Sequence, residues 1–432
     1  MRRDPSPASA PASARVRLVT RPLVLKAVFC EDRRADSGIR MMKRPNISVR
    51  SVALLIATGT LAGCATFEDF LDSIRSDRTA RRTALERRPI EEPLSRNHFV
   101  LDSAEQTVVG EAQIVFARET DTFSDLAREY GLGYDELVAA NPGIDPWLPG
   151  ERTPILLPTQ YVLPDVPHKG VVLNIASKRL FYFPDVADGS AGVVKTYPIG
   201  IGRVGWDTPL GTTTVVAKAR DPHWYVPLSV RREHAEMGDP LPAVVPPGPD
   251  NPLGTHVLKL DMPGYLIHGT NQPYGVGMRV SHGCVRLYPE NIDLLYDFVS
   301  VGETVTIINE PFLIGVRDGE VFFEGHEPLE DDTISAAERF ELLFRRYAER
   351  SGNTLRDRDK DQVRTIASMA RGIPIRVAEH DVDEVFVRAR LVRNTVEMDP
   401  DAPTLSEVRE MIEAANQEAE AEAAESEEAE PL

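Results

Sequence analysis

The spacing of apolar positions divides the chain into segments of different character. Between residues 112 and 158, Ile114-Val115-Phe116 reads as a short strand. Asp121-Thr122 opens a helix carrying Phe123, Leu126 and Ala127, and Gly131 stops it. A second helix runs from Tyr134 to Ala140, halted by Asn141-Pro142, and Pro154-Ile155-Leu156-Leu157-Pro158 returns as a strand. From His168 the pattern turns to β. Val171–Ile175 and Arg179–Phe183 flank Ser177-Lys178 as a hairpin, and Val193–Ile199 and Thr212–Ala217 continue it across glycines 200, 202, 205 and 211. Six prolines between Pro240 and Gly254 mark a long ordered loop or lid. Strands are then expected at Thr255–Leu260, Tyr265–His268, Val280–Val285 and Thr304–Asn309, with one helix at Asn291–Val299. Residues 168–310 therefore predict a mainly β sandwich with one helix. Pro311 to Leu329 reads as a hairpin about Asp318-Gly319, a type I′ turn pair. Beyond Asp331 the period becomes helical, over Ala336–Arg350, Leu355–Ala370 and Leu405–Ala415.

Charge and targeting signals change the picture at both ends. The chain of 432 residues has a formal charge of -18, from 49 basic and 67 acidic residues, which argues against nucleic-acid partners because phosphate binding needs a basic surface. Residues 1–63 hold 12 basic and 4 acidic residues, so the remainder carries 37 basic against 63 acidic. Within 41–63, Lys43, Arg44 and Arg50 precede an apolar stretch from Val52 to Ala57, and Leu61-Ala62-Gly63-Cys64 follows. That order is a secretion signal. Its last four residues resemble the lipobox of bacterial lipoproteins, which implies lipidation of Cys64. With Ala65 next, the same resemblance implies anchoring on the periplasmic face of the outer membrane of a Gram-negative bacterium. Met41 or Met42 is then the expected start, and 1–40 an over-extended start or an N-terminal extension. Residues 64–111 read as a tether with little core, 333–412 as a helical region, and 413–432, with eight glutamates and no basic residue, as a solvated acidic tail.

Of three cysteines, Cys30 falls in the region discarded with the signal and Cys64 would carry lipid, leaving Cys284 as the one free thiol of the mature chain. Two histidines lie near it in chemistry, His268 in Ile267-His268-Gly269-Thr270 and His282 in Ser281-His282-Gly283-Cys284-Val285-Arg286. A cysteine becomes a useful nucleophile beside an imidazole that a third group orients. His282 is two residues from Cys284 and shares its face in extended backbone, without the side chains having to meet. His268, from another strand, can reach the thiol across the sheet and is assigned as general base, with Gly269 or a neighbouring carbonyl holding its other nitrogen. Gly283 permits a tight turn that exposes backbone N–H groups as an oxyanion hole. His268, His282 and Cys284 are also possible zinc ligands, but no Cys-x2-4-Cys or His-Glu-x-x-His pattern accompanies them. A buried structural thiol and a core histidine are the plain alternatives.

Two resemblances join these readings. The segments DTFSDLAREYG, ELVAANP, LPG and ILLP within 112–158 resemble the LysM module, which implies a β-α-α-β fold binding the N-acetylglucosamine-containing glycan of peptidoglycan or chitin. The opening Glu119-Thr120-Asp121-Thr122 departs from the module's usual Gly-Asp-Thr. His268 followed by Ser281-His282-Gly283-Cys284-Val285-Arg286 resembles the signature of the YkuD-type L,D-transpeptidases. Gly211-Thr212-Thr213-Thr214, Pro222-His223-Trp224-Tyr225, Pro246 to Gly254 and the hairpin appendix at 311–332 resemble the ErfK/YbiS/YcfS/YnhG subgroup. This implies a Cys284 acyl-enzyme formed from a peptidoglycan tetrapeptide stem with loss of D-Ala, and no cofactor or metal. The acceptor would be a second stem (3-3 crosslink), a small lipoprotein, or water (L,D-carboxypeptidase trimming). His282 would serve substrate positioning and site architecture, and Arg286 would engage a carboxylate or brace the loop. Ser281, Trp224 and Tyr225 are further candidate substrate contacts. A zinc-dependent wall hydrolase and a non-catalytic peptidoglycan-binding lipoprotein are the competing classes.

Overall fold

The structure is a computed structural model that describes residues 83–103, 105–185, 192–378 and 383–397. Its centre is a nine-stranded mixed sheet. In spatial order its strands are His98–Val100, Val193–Pro198, Arg179–Phe183, Gly170–Asn174, Thr304–Ile308, Gly211–Arg220, His256–Leu260, Leu266–His268 and Val285–Arg286. Neighbours are antiparallel except Thr304–Ile308 with Gly170–Asn174 and Leu266–His268 with Val285–Arg286, which run parallel.

Gly170–Asn174 and Arg179–Phe183 are buried at every position. Side chains alternate across a strand, and here each face has its own cover. Val171, Leu173, Leu180 and Tyr182 point into the core shared with Val215, Leu258, Ile267, Ile292 and Leu295. Val172, Phe181 and Phe183 point the other way, among Phe123, Leu126, Leu137, Ile155 and Leu157 of residues 112–158. Burial on both faces is why these strands read as continuous apolar runs.

Residues 113–157 place two antiparallel strands, Gln113–Phe116 and Pro154–Leu157, beside helices Phe123–Glu129 and Tyr134–Ala140. Thr122 and Asp125 cap the first helix reciprocally. Asn141 ends the second: its amide donates to the carbonyls of Leu137 at 2.9 Å and Leu156 at 2.8 Å, and its oxygen accepts from Leu156 N at 2.8 Å. This unit packs on the central sheet through Arg179, which is 1% exposed and pairs with Glu136 at 2.5 Å beneath the Tyr161 ring. Backbones also touch: a Cβ on Gly133 would meet Gly277 Cα at 2.7 Å, so no side chain fits at that seam.

Several expectations need correction. Residues 168–310 have a second α-helix, Leu228–Glu236, in addition to Pro289–Phe298. It lacks an apolar stripe, since Val230 is its one buried residue, and the periodicity that reveals most helices is missing. The single strand expected at Val280–Val285 is two strands, Arg279–Ser281 and Val285–Arg286, broken by a turn at Gly283. The proline-rich stretch contains a short strand, Val244–Val245, paired with Trp224–Tyr225, and is pinned by buried Asn251, which donates to the carbonyls of Pro222 and Pro246. The tether expected over 64–111 is, in its last part, built into the fold: His98–Val100 edges the central sheet and Val108–Gly110 pairs with Gln160–Val162.

The hairpin Phe312–Arg317 and Glu320–Gly325 turns at Asp318 and Gly319, with φ of 54° and 76°. A third strand, Ile375–Arg376, joins it, and helices Ala336–Ser351 and Asp357–Met369 pack over it around Phe312, Phe323, Phe340 and Ile366. The C-terminal region then returns to residues 112–158, where Arg390–Leu391 pairs in parallel with Gln113–Ile114. The helix expected at Leu405–Ala415 lies outside the described residues.

Replacing Arg179 by Ala leaves Glu136 buried without its cation. Denaturant unfolding of Arg179→Ala should show a loss of about 3–5 kcal/mol, and pairing it with Glu136→Ala should recover part of that loss.

Candidate active site

The edge of the central sheet brings the two histidine motifs together. Leu266–His268 and Val285–Arg286 run parallel, with Ile267 opposite Val285 and His268 opposite Arg286, and Leu287 N donates to His268 O at 2.9 Å. The residue after the Cys284 turn is thus tied to the strand that carries His268.

His268 is 3% exposed, and its Nδ1 lies 2.6 Å from the carbonyl of Gly269. A carbonyl only accepts, so the proton sits on Nδ1 and the lone pair on Nε2. Burial first, then the charge of Arg286, draw the imidazole down to about 3, against the opposing pull of the Gly269 and Leu253 carbonyls. The ring is therefore neutral at neutral pH.

Cys284 is a free, half-buried cysteine whose Sγ lies 3.6 Å from Gly264 O. Burial pushes the thiol up, while a main-chain contact to Leu266 and the Arg286 charge pull it down. The turn before it is held from several sides. Gly283 has φ of 97°, a region open to glycine, and a Cβ there would meet the Tyr265 ring at 3.1 Å. Its carbonyl accepts from Thr208 Oγ1 at 3.0 Å, and Ser281 Oγ donates to Cys284 O at 2.5 Å. Among the described residues, neither the Gly283 N–H nor the Cys284 N–H donates a hydrogen bond within the protein.

His282 turns to the helix Leu228–Glu236, with Nε2 at 2.8 Å from Glu233 Oε2 and the Trp206 ring edge-on at 4.9 Å between centroids. Burial comes first among the causes that lower its pKa. Arg286 braces the site with its backbone, exchanging hydrogen bonds with Gly200 at 2.8 and 2.9 Å, while its Nε is buried without a hydrogen-bond partner. Trp224 and Tyr225 sit on the short ladder with Val244–Val245, and Tyr225 is 74% exposed. Neither side chain hydrogen-bonds to the cysteine turn among the described residues.

Sequence reasoning missed Thr208, Glu233 and Arg279. Arg279 donates to Gly202 O and joins Asp207 and Asp331, holding the strand that leads into the turn. No spacing rule connects residues so far apart in the chain; the only signal for Thr208 was its place in the glycine-rich stretch after Gly202.

Residues 168–307 match the family model of the YkuD-type L,D-transpeptidase catalytic domain. The chain is 36% identical to the probable L,D-transpeptidase YcfS of Escherichia coli (strain K12) over 296 residues, covering 67% of this chain and 91% of that protein. It is 42% identical to the probable L,D-transpeptidase YbiS of the same organism over 226 residues, covering 51% of this chain and 72% of that protein. Against the putative L,D-transpeptidase YkuD of Bacillus subtilis (strain 168) identity is 26% over 192 residues, 44% of this chain and 95% of that protein. Likeness at this identity across nine-tenths of YcfS reaches beyond the site into the flanking segments, and the chain belongs to the L,D-transpeptidase family with a YkuD-type catalytic domain.

Proposed function

We propose that this chain acts on peptidoglycan tetrapeptide stems through a thioester on Cys284. The observation that carries the reading is the neutral imidazole of His268, with its Nδ1 proton committed to Gly269, on the strand paired to Val285–Arg286. With the thiol raised by burial and the imidazole lowered, the resting pair is thiol and neutral ring, so the base takes the proton during attack.

In the proposed reaction, His268 Nε2 removes the thiol proton as sulfur adds to the carbonyl at the L-centre of the stem's diamino acid. The resulting oxyanion is received by the free N–H groups of Gly283 and Cys284. Collapse breaks the amide bond, and His268 returns the proton to the departing amine of D-Ala. An acceptor amine then attacks the thioester, gives its proton to His268 and regenerates the thiol. The amine of another stem yields a 3-3 crosslink, a lysine of a small lipoprotein yields wall attachment, and water yields the trimmed stem. Arg286, with an unpartnered buried Nε and its charge close to both reacting groups, suits a carboxylate of the donor. Trp224 and Tyr225 are assigned to the groove for the donor peptide.

The same reading extends to location and wall binding. Cys64 and its signal lie outside the described residues, and lipid anchoring at the periplasmic face of the outer membrane rests on the order of basic, apolar and Leu61-Ala62-Gly63-Cys64 residues. Residues 112–158 are assigned to glycan, as a LysM-like module. Support comes from their strand-helix-helix-strand order and from Trp147, 61% exposed and 6.3 Å from the Tyr134 ring, an aromatic pair suited to sugar faces.

Mass spectrometry of the enzyme incubated with a disaccharide-tetrapeptide tests the chemistry. The expected result is an adduct on Cys284 with D-Ala released, absent in Cys284→Ala and formed about 100-fold or more slowly in His268→Ala. Release of D-Ala by Cys284→Ala, or activity lost with bound zinc and restored by it, would overturn the thioester. The products identify the acceptor.

The pH dependence follows from the two shifts. A preformed thiolate–imidazolium pair would make thiol alkylation level across neutral pH. Here the rate of Cys284 alkylation by iodoacetamide should instead keep rising between about pH 6 and 9, because the thiol lies above its ordinary range and its base is already neutral. A plateau through that interval contradicts the neutral pair.

For location, Cys64→Ala should move the protein from membrane to soluble fractions, and Trp147→Ala should sediment less with purified sacculi while acylating a soluble stem normally. Unchanged distributions would remove the anchor and the glycan contact, respectively.

A further inference from the structure

We infer that Glu233, carried by the helix Leu228–Glu236, is a positioning residue for the reaction, holding the His282 ring in one tautomer and one orientation directly before the Gly283-Cys284 turn. The inference rests on the thioester reading and adds to it a residue outside both signature motifs.

The contact is specific in chemistry. Glu233 Oε2 lies 2.8 Å from His282 Nε2, and a carboxylate only accepts, so Nε2 carries a proton; with burial lowering the ring's pKa, Nδ1 keeps the lone pair. The other oxygen, Oε1, binds the guanidinium of Arg203. Arg203 in turn donates its backbone N–H to Ser281 O at 3.0 Å, so one carboxylate is linked both to the His282 ring and to the residue before it. The third wall is Trp206, whose ring stands at 85° to the imidazole, and whose carbonyl lies 3.4 Å from where a Cβ on Gly283 would be. His234, on the same helix as Glu233, approaches at 6.1 Å between ring centroids. The ring of His282 is thus fixed in a slot between the helix and the segment Arg203–Trp206.

Energetics favour orientation over stability as the role. The His282 and Glu233 side chains are 24% and 26% exposed, and a polar contact that meets solvent adds little to folding. On this inference the contact acts through the segment that follows His282. The ring is anchored one residue before Gly283, whose N–H and that of Cys284 are the free donors of the turn. A ring free to rotate would loosen those donors when negative charge develops on the substrate oxygen, which is when fixed dipoles matter most.

The test uses the full chain and its Glu233→Gln, Glu233→Ala and Glu233→Asp variants. Four quantities are read: the ring 15N shifts of His282, assigned by their loss in His282→Ala; the single-turnover rate of Cys284 acylation; KM; and the thermal midpoint. In wild type the shifts should report the Nε2–H tautomer. In Glu233→Gln and Glu233→Ala that signature should be lost, and acylation should slow by about 10- to 100-fold with KM changed by less than about twofold. The midpoint should stay within about 2 °C of wild type, and Glu233→Asp should regain part of both the signature and the rate. Wild-type acylation rates in Gln and Ala variants would overturn the inference. So would slowing that only tracks a fallen midpoint while the tautomer is unchanged. If the wild-type chain forms no thioester, the catalytic reading fails on its own, whereas the 15N shifts still judge whether Glu233 holds the ring.

Discussion

A β-hairpin buried on both faces needs two covers, and most of the architecture follows from that need. Gly170–Asn174 and Arg179–Phe183 leave no position open to water. One cover is the remainder of the catalytic core; the other is the strand-helix-helix-strand unit at residues 113–157. Removing either would expose a face of Val, Leu, Phe and Tyr side chains, so the unit is part of the folded body and not a bead on a string. The buried Arg179–Glu136 pair adds registry to this apolar contact, because a charge so deeply enclosed tolerates only one docking position.

The same sheet sets the chemistry at its other edge. Parallel pairing of Leu266–His268 with Val285–Arg286 lays the strand that carries His268 beside the segment that follows Cys284, and Gly283 turns the chain just before it. Burial raises the thiol and lowers the imidazole together, so neither group is charged at rest. On the thioester reading proposed above, such a site would generate its nucleophile only when the substrate carbonyl is present to receive it.

What could be read from sequence tracks the range of the interactions involved. The type I′ turn at Asp318-Gly319, the cap at Thr122 and the stop at Asn141-Pro142, where the Asn141 amide donates back to Leu137 O, are local, and each is visible in a few adjacent residues. The pairing of His268 with the Cys284 motif was legible through resemblance, because its spacing is distinctive. Helix Leu228–Glu236 was illegible because it is mostly exposed and has no stripe, and with it Glu233 was lost. The tether assignment failed between His98 and Gly110 for a related reason: three-residue strands such as His98–Val100 and Val108–Gly110 are too short to show a period and are stabilised by partners elsewhere in the chain. Arg179 is the sharpest case, since a buried arginine looks in sequence like an exposed one.

The return of the C-terminal region has a consequence for how the chain reaches its native state. Arg390–Leu391 completes the edge of a sheet begun at Gln113, and Arg118 donates to the carbonyls of Asn394 and Val396, residues 276 and 278 positions downstream. During synthesis from the N-terminus, that edge must stay open until nearly all of the chain has emerged. The entropy of closing so long a loop cannot be offset before then, and the unpaired strand edge is open to other chains in the interval. Order of emergence, and not only native contacts, therefore bears on this fold: the sheet begun at Gln113 is closed by residues that leave the ribosome more than 270 positions later.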